Sequence, residues 1–307
     1  MESKGVRRTW LDRVYGEIVI DDPGLIALIS GPTYERLKGI RQAGPSALAF
    51  PFKNVTRYEH SLGVYHLLKV LGASRREQVA GILHDISHTA FSHAVDFIHI
   101  SQEQDHHEGL KHHFLHRDDL EGPLRALGYA PEEFYDDRVF RLLEQPLPWL
   151  CADRLDYFFR DGLACGVETP RSVASTLARL TVRDGVIALT DIEVARDAAR
   201  RYAEMNDSWW ASPTEAFIYN EFADALREGF RLGALRDDDL LTDDDAVLTR
   251  LRTAASSLID MKLERIEHFQ LDWLEGYVPR VVPKSRRLDP PVTVGSGWKR
   301  LSELEAA

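Results

Sequence analysis

Hydrophobic and polar positions along the chain follow two periods. Alternation with period two marks Val14 to Ile20, with Gly16 as the bend, and again Leu180 to Leu189, where Asp184-Gly185 tolerates the positive φ angles of a tight hairpin turn. Three- and four-residue spacing takes over elsewhere. It runs through Leu25, Leu28 and Ile29, then from about Arg57 through Leu62, Tyr65, Leu68 and Val70 to a stop at Gly72. Ser74 and Glu77 predict a capping box opening the next helix, whose buried stripe is Val79, Ile82 and Leu83 and whose end lies near His84-Asp85. Pro131, Pro146 and Pro148 precede a helix from Trp149 to about Leu163, which stops near Gly166. Helical patterns resume at about Asp191–Trp210, Pro213–Leu232 and Asp243–Leu263, and Pro290 to Val294 reads as an edge strand. The fold class is therefore mostly α, with small β-hairpins. Residues 1–175 form the expected chemical core, and 176–307 an integral, mostly helical extension with a hairpin near 180–189 and an extended C-terminal segment.

Composition narrows the function. At 307 residues with 44% apolar and 28% charged positions, the chain can bury one large core or two modest ones. Its two cysteines, Cys151 and Cys165, exclude a disulfide framework and a paired-cysteine zinc knuckle, and fit a reducing compartment. No run approaches the roughly 18 apolar residues of a membrane span, and the opening MESKGVRRTW has no apolar leader, so no membrane partner and a cytoplasmic location are expected. A net charge of −11 argues against nucleic acid as a partner. Eleven of the twelve histidines fall between His60 and His116, a crowding that points to imidazole chemistry.

His84-Asp85 sits where a helix unwinds, so both side chains can reach one cation. His60 lies near the start of the preceding helix and Asp153 in a third, and a three-helix bundle would bring the four to a common point. Two imidazoles and two carboxylates suit a divalent first-row ion such as manganese, iron, zinc, cobalt or nickel, with two octahedral positions left for water and a phosphate oxygen.

The chain resembles the HD-domain phosphohydrolases, whose signature is H…HD…D, and within them the deoxynucleoside triphosphate triphosphohydrolase branch. Four stretches carry the likeness: Glu35 to Gln42, Arg57 to Val64, His84 to His93 and Asp153 to Asp161. The resemblance implies an HD-domain helical bundle with His60, His84, Asp85 and Asp153 as metal ligands. It implies that Arg57, His88 and Arg154 face the substrate phosphates, and that His93, Asp96 and His107 move protons. Tyr157 and Asp161 share a helical face with Asp153 and are implied to contact the sugar. The implied partners are a nucleotide substrate, a second Mg or Mn ion arriving with its phosphates, and further copies of the chain in a homo-oligomer. Where that branch has glutamine followed by leucine, this chain has Gln42-Ala43, so the side chain that would crowd a ribose 2′-hydroxyl is missing. Trp209 and Trp210 are the candidates for the wall against the base.

Other readings of the same residues are weaker. His107 and His112 are five apart, roughly 140° around a helix, which does not fit a zinc-protease pair. His106, His112, His113 and His116 read as a polar face, His66, His99 and His268 as structural, and Cys151 as buried packing. The expected reaction is attack of water on the α-phosphorus of a nucleoside triphosphate. The alternatives are a nucleoside monophosphatase, a phosphodiesterase of a cyclic or signalling nucleotide, and a nucleotide sensor without turnover.

Overall fold

A computed structural model describes residues 7–98 and 106–306, except the side chains of 106–109. Hairpin β1 (Arg8–Asp12) and β2 (Gly16–Ile20) turns at Gly16, whose φ is +74°. Among the described residues ten helices reach eight residues or more: α1 (Arg57–Val70), α2 (Arg75–Leu83), α3 (His106–Leu115), α4 (Asp118–Ala126), α5 (Ala152–Cys165), α6 (Pro170–Leu177), α7 (Ile192–Met205), α8 (Pro213–Arg231), α9 (Asp244–Thr253) and α10 (Ser257–Glu267). None is long and apolar enough to cross a membrane. The fold is mostly helical, as the periodicity predicts.

Helix α1 is the central element. It opens with a capping box, the Thr56 hydroxyl accepting from Glu59 N–H while Glu59 accepts from Thr56 N–H, and it closes at Gly72 with Ala73 N–H bonded to Leu68 O. Two glycines let its neighbours come close. A Cβ on Gly63 would lie 1.9 Å from Asp156 Oδ1 of α5, and one on Gly81 of α2 would lie 2.4 Å from Leu68 Cδ1. The packing of α1 between α2 and α5 thus depends on missing side chains.

Two apolar clusters fill the interior. The larger is built on α1, α2 and α5 and includes Leu62, Leu68, Ile82, Phe158 and Phe159; the other joins Phe91 and Phe97 to Phe217, Phe222 and Leu263 of α8 and α10.

Four local expectations need correction. Ser74 caps α2, but Glu77 does not return the bond; its Oε1 accepts from Leu142 and Leu143 N–H, fastening α2 to the segment before α5. The helix expected from Trp149 begins at Ala152. The single helix expected over Asp243–Leu263 is two, α9 and α10, broken where Ala255 takes φ +49°. Finally, β5 (Pro291–Val294) is an inner strand, not an edge. The sheet order is β3 (Leu180–Arg183), β4 (Val186–Leu189), β5, β6 (Gly297–Arg300), with Leu189 and Val292 in parallel register.

Candidate metal centre and substrate cavity

The four predicted ligands converge. His60 comes from the first turn of α1, His84 caps the C-terminus of α2 with Asp85 next to it, and Asp153 lies in the first turn of α5. His60 Nε2 is 2.9 Å from Asp153 Oδ1 and 3.7 Å from Asp85 Oδ2. His84 Nε2 is 3.1 Å from His60 Nε2, 3.5 Å from Asp85 Oδ1 and 3.6 Å from Asp153 Oδ1.

The orientation of the rings tests whether this set suits a cation. His60 Nδ1–H donates to Asp156 Oδ2 at 2.7 Å, since a carboxylate only accepts, and His84 Nδ1–H donates to Gly81 O at 2.9 Å. Both Nε2 atoms are therefore turned away from these partners, His60, His84 and Asp85 cluster together, and Asp153 adjoins the two imidazoles, with each ring oriented as metal-binding histidines are by such partners. Two facing nitrogen lone pairs repel unless a cation or a proton lies between them. Burial by itself would depress the His60 pKa, but its bonds to Asp153 and Asp156 outweigh burial and raise it to about 10. Burial likewise opposes the charge on Asp85 and Asp153, yet Arg57 holds the first well below the usual carboxylate range, and His60 and His84 hold the second there. The donor set fits a divalent ion.

Asp156 was not among the sequence candidates. It is fully buried and also accepts from Arg160 Nε at 2.6 Å and Tyr15 O–H at 2.8 Å, while Arg160 Nη2 reaches Asp12 Oδ2 at 2.8 Å. Its position three residues after Asp153, on the same helical face, was the available signal.

A cavity of about 430 Å³ adjoins the centre. Arg57 enters it with Nη1 on Asp85 at 2.8 Å and Nε on Ser92 Oγ at 3.1 Å. Ser92 and Phe91 both take positive φ, +52° and +58°, a strain held by the bond from Phe91 N–H to Asp244 Oδ1 and by Ser92 O–H donating to Arg41 O. This turn presents His88, 3.2 Å from Asp85, and His93, whose Nδ1 is 3.2 Å from Asp96 Oδ2.

Gln42 lines the cavity with its buried Oε1 unbonded among the described residues. Tyr157 lies one helical turn beyond Asp153, its hydroxyl 2.5 Å from that of Tyr202. Asp161, a further turn on, accepts from Trp210 Nε1 at 2.9 Å, and burial raises its pKa. Of the two tryptophans, Trp210 lines the cavity, whereas Trp209 packs edge-on against Phe50 and Phe52. Arg154 lines the cavity too, but its Nη1 and Nη2 are turned into Trp149 O and Gln145 O, so it braces the chain before α5, while its buried Nε is unbonded among the described residues. The side chain of His107 lies outside the described residues, as does His99. His116 bonds Glu121 and Tyr135, and burial pushes the Cys151 thiol pKa up, consistent with packing.

Three further groups in the cavity escaped the sequence reading. Lys53 pairs with Glu215 at 3.0 Å, Lys111 pairs with Asp137, and the pKa of Glu144 is raised to about 8 by burial and by Asp153. Lys53 and Lys111 meet partners distant in the chain, and Glu144 itself sits in a loop, where spacing gives no signal.

Residues 57–145 match the HD domain family. The uncharacterized protein YdhJ of Bacillus subtilis is 37% identical over 95% of this chain and 90% of its own. The metal-dependent phosphohydrolase cns2 of Cordyceps militaris is 33% identical over 92% of this chain and 84% of its own. Human deoxynucleoside triphosphate triphosphohydrolase SAMHD1 is 30% identical over 44% of this chain, which corresponds to 26% of its own length. The solved structure of a hypothetical protein from Aquifex aeolicus shares the fold, with a TM-score of 0.67 at 21% identity over 97% of this chain and 92% of that one. The relative covered nearly end to end and the HD-domain match show that the chain belongs to the HD-domain metal-dependent phosphohydrolases.

Proposed function

We propose that this phosphohydrolase acts on nucleotides, hydrolysing (deoxy)nucleoside triphosphates to nucleoside and triphosphate. The observation that carries the reading is a single cavity joining the His/Asp centre to a wall of Tyr157, Asp161 and Trp210. Asp161 lies eight residues beyond Asp153 on α5, about 12 Å along the helix, a span suited to a phosphate at one end and a nucleoside at the other. When held by His60, His84, Asp85 and Asp153, a divalent ion such as manganese, iron, zinc, cobalt or nickel supplies Lewis-acid polarisation and a water that ionises near neutrality.

The chain's own groups do the rest. Arg57, fixed by Asp85 and Ser92, faces the phosphoryl oxygens beside His88. Asp96 fixes one nitrogen of His93, so that the imidazole can pass a proton to the departing nucleoside oxygen, with His107 as a further carrier. Gln42 and Asp161 accept from sugar hydroxyls, and Trp210 lies against the nucleoside. Ala43 leaves the 2′-hydroxyl uncrowded, so ribonucleotides are accepted as well.

One observation favours a second reading, a nucleoside monophosphatase. Lys53, Arg57, Lys111 and Arg138 all line the cavity already paired with carboxylates, which limits the charge available to a long phosphate chain. Incubating the protein with Mn²⁺ and a panel of nucleoside tri-, di- and monophosphates, with ³¹P NMR of the products, decides. Inorganic triphosphate supports the first reading; orthophosphate released from monophosphates alone replaces it with the second.

A further inference from the structure

The cations that line the cavity are not equivalent. Lys53, Arg57, Lys111 and Arg138 each hold a carboxylate, and Arg154 is spent on two carbonyls, with Glu144 3.6 Å away. Arg286 differs. Among the described residues its guanidinium makes one bond, Nη1–H to Lys284 O at 3.3 Å, and no carboxylate lies within ion-pair distance. It comes from the extended segment after α10, far outside the stretch that matches the HD family.

That segment is fixed from two sides. Asn206, buried where α7 unwinds into the π-turn Asn206–Trp210, accepts from Arg286 N–H at 2.6 Å, and its Nδ2–H donates to Ser285 Oγ at 3.4 Å. Asn220, buried in α8, accepts from Val281 N–H and donates to Val281 O. Arg287 pairs with Asp207 at 2.8 Å, and Asp289 N–H bonds Pro148 O. The backbone that carries Arg286 is thus held to two helices, and its half-buried side chain is left facing the cavity. Its charge reaches Tyr157, Tyr202 and Tyr219: burial raises the pKa of each phenol, and Arg286 is among the cations that pull back.

We infer that Arg286 is a substrate-binding residue that anchors the part of a polyphosphate chain extending away from the His/Asp centre. The inference deepens the nucleotide reading above and rests on it. A half-buried arginine with no anionic partner among the described residues, on backbone fixed by two buried asparagines, is a preorganised site for an anion. It also selects by phosphate length. A monophosphate engaged at the metal centre has nothing to offer Arg286, whereas the β- and γ-phosphates do.

The test is calorimetric titration of Mn²⁺-loaded protein with inorganic triphosphate and with orthophosphate, in wild type, Arg286→Ala and Arg286→Lys. Metal content and melting temperature are measured alongside. Arg286→Ala is expected to bind triphosphate about tenfold or more weakly, equivalent to about 1.4 kcal/mol, with orthophosphate affinity unchanged and metal retained; Arg286→Lys recovers part of the loss. Triphosphate affinity within twofold of wild type, or an equal loss for orthophosphate, overturns the inference, as does a wild-type protein that takes up neither anion. Nucleotide hydrolysis is scored separately. Wild type that cleaves no nucleotide but loses triphosphate affinity in Arg286→Ala sinks the substrate reading alone, and full hydrolysis with an unchanged Arg286→Ala KM sinks the Arg286 assignment alone.

Discussion

Asp156 offers the sharpest single perturbation, because one buried carboxylate both orients a metal ligand and neutralises Arg160. Asp156→Asn keeps its shape and one acceptor oxygen, which can still receive His60 Nδ1–H and Arg160 Nε–H, while the Tyr15 hydroxyl turns to accept from the new amide. What disappears is the charge. A partner behind a metal-bound histidine raises that ligand's basicity, and its loss typically weakens metal affinity about 10- to 100-fold. Stability falls too. Removing one partner of a buried ion pair costs about 3–5 kcal/mol, but Asp12 stays 2.8 Å from Arg160 and the amide oxygen still accepts, so about 2–3 kcal/mol is expected. In a chain of this size that lowers the melting temperature by roughly 3–5 °C. Competition against a chromophoric chelator reads the affinity, and thermal melts of the metal-free protein read the stability. Metal affinity within twofold of wild type would refute the claim that Asp156 tunes His60.

Other predictions test the centre and its support. His84→Ala and Asp85→Ala should lose the metal, read by elemental analysis, together with phosphohydrolase activity. Asp244 should give the protein an unusual acid dependence. Burial raises its pKa from 3.8 to about 6, against the N–H bonds from Phe91 and Arg41 that pull it down. The protonated form is then favoured by folding, so the stability this group contributes is full below about pH 4 and is lost as pH rises through 6. The difference amounts to up to about 3 kcal/mol. Asp244→Asn should remove it, so denaturant unfolding of variant and wild type should diverge between pH 4 and 7; parallel curves would show that Asp244 does not titrate in that window.

The residues that gather at the His/Asp centre were legible because each lies in a short, chemically distinctive stretch, and the helices bearing them announce their ends through Gly72, Ser74 and Gly166. What surrounds them was not. Asp156 reads as one more helix-surface charge until Gly63 is seen to bring α1 onto it. Lys53 meets Glu215 across 162 residues, and Arg286 meets Asn206 across 80, so neither pairing leaves a periodic trace. The break between α9 and α10 was hidden because both halves keep helical spacing and only a short stretch departs, Ala255 at positive φ and Ser256 in extended backbone. The inner position of β5 depends on the register of Val292 with Leu189, which local alternation does not encode.

His60 is gripped by carboxylates on both of its nitrogens, Asp156 on one and Asp153 on the other. A pKa of about 10 keeps the ring an imidazolium at neutral pH until an ion displaces its proton. Loading the ion is therefore an exchange in which a hydron leaves as the metal enters. The observed heat of uptake must then scale with the ionisation enthalpy of the buffer, and in acidic media the centre guards itself against adventitious cations.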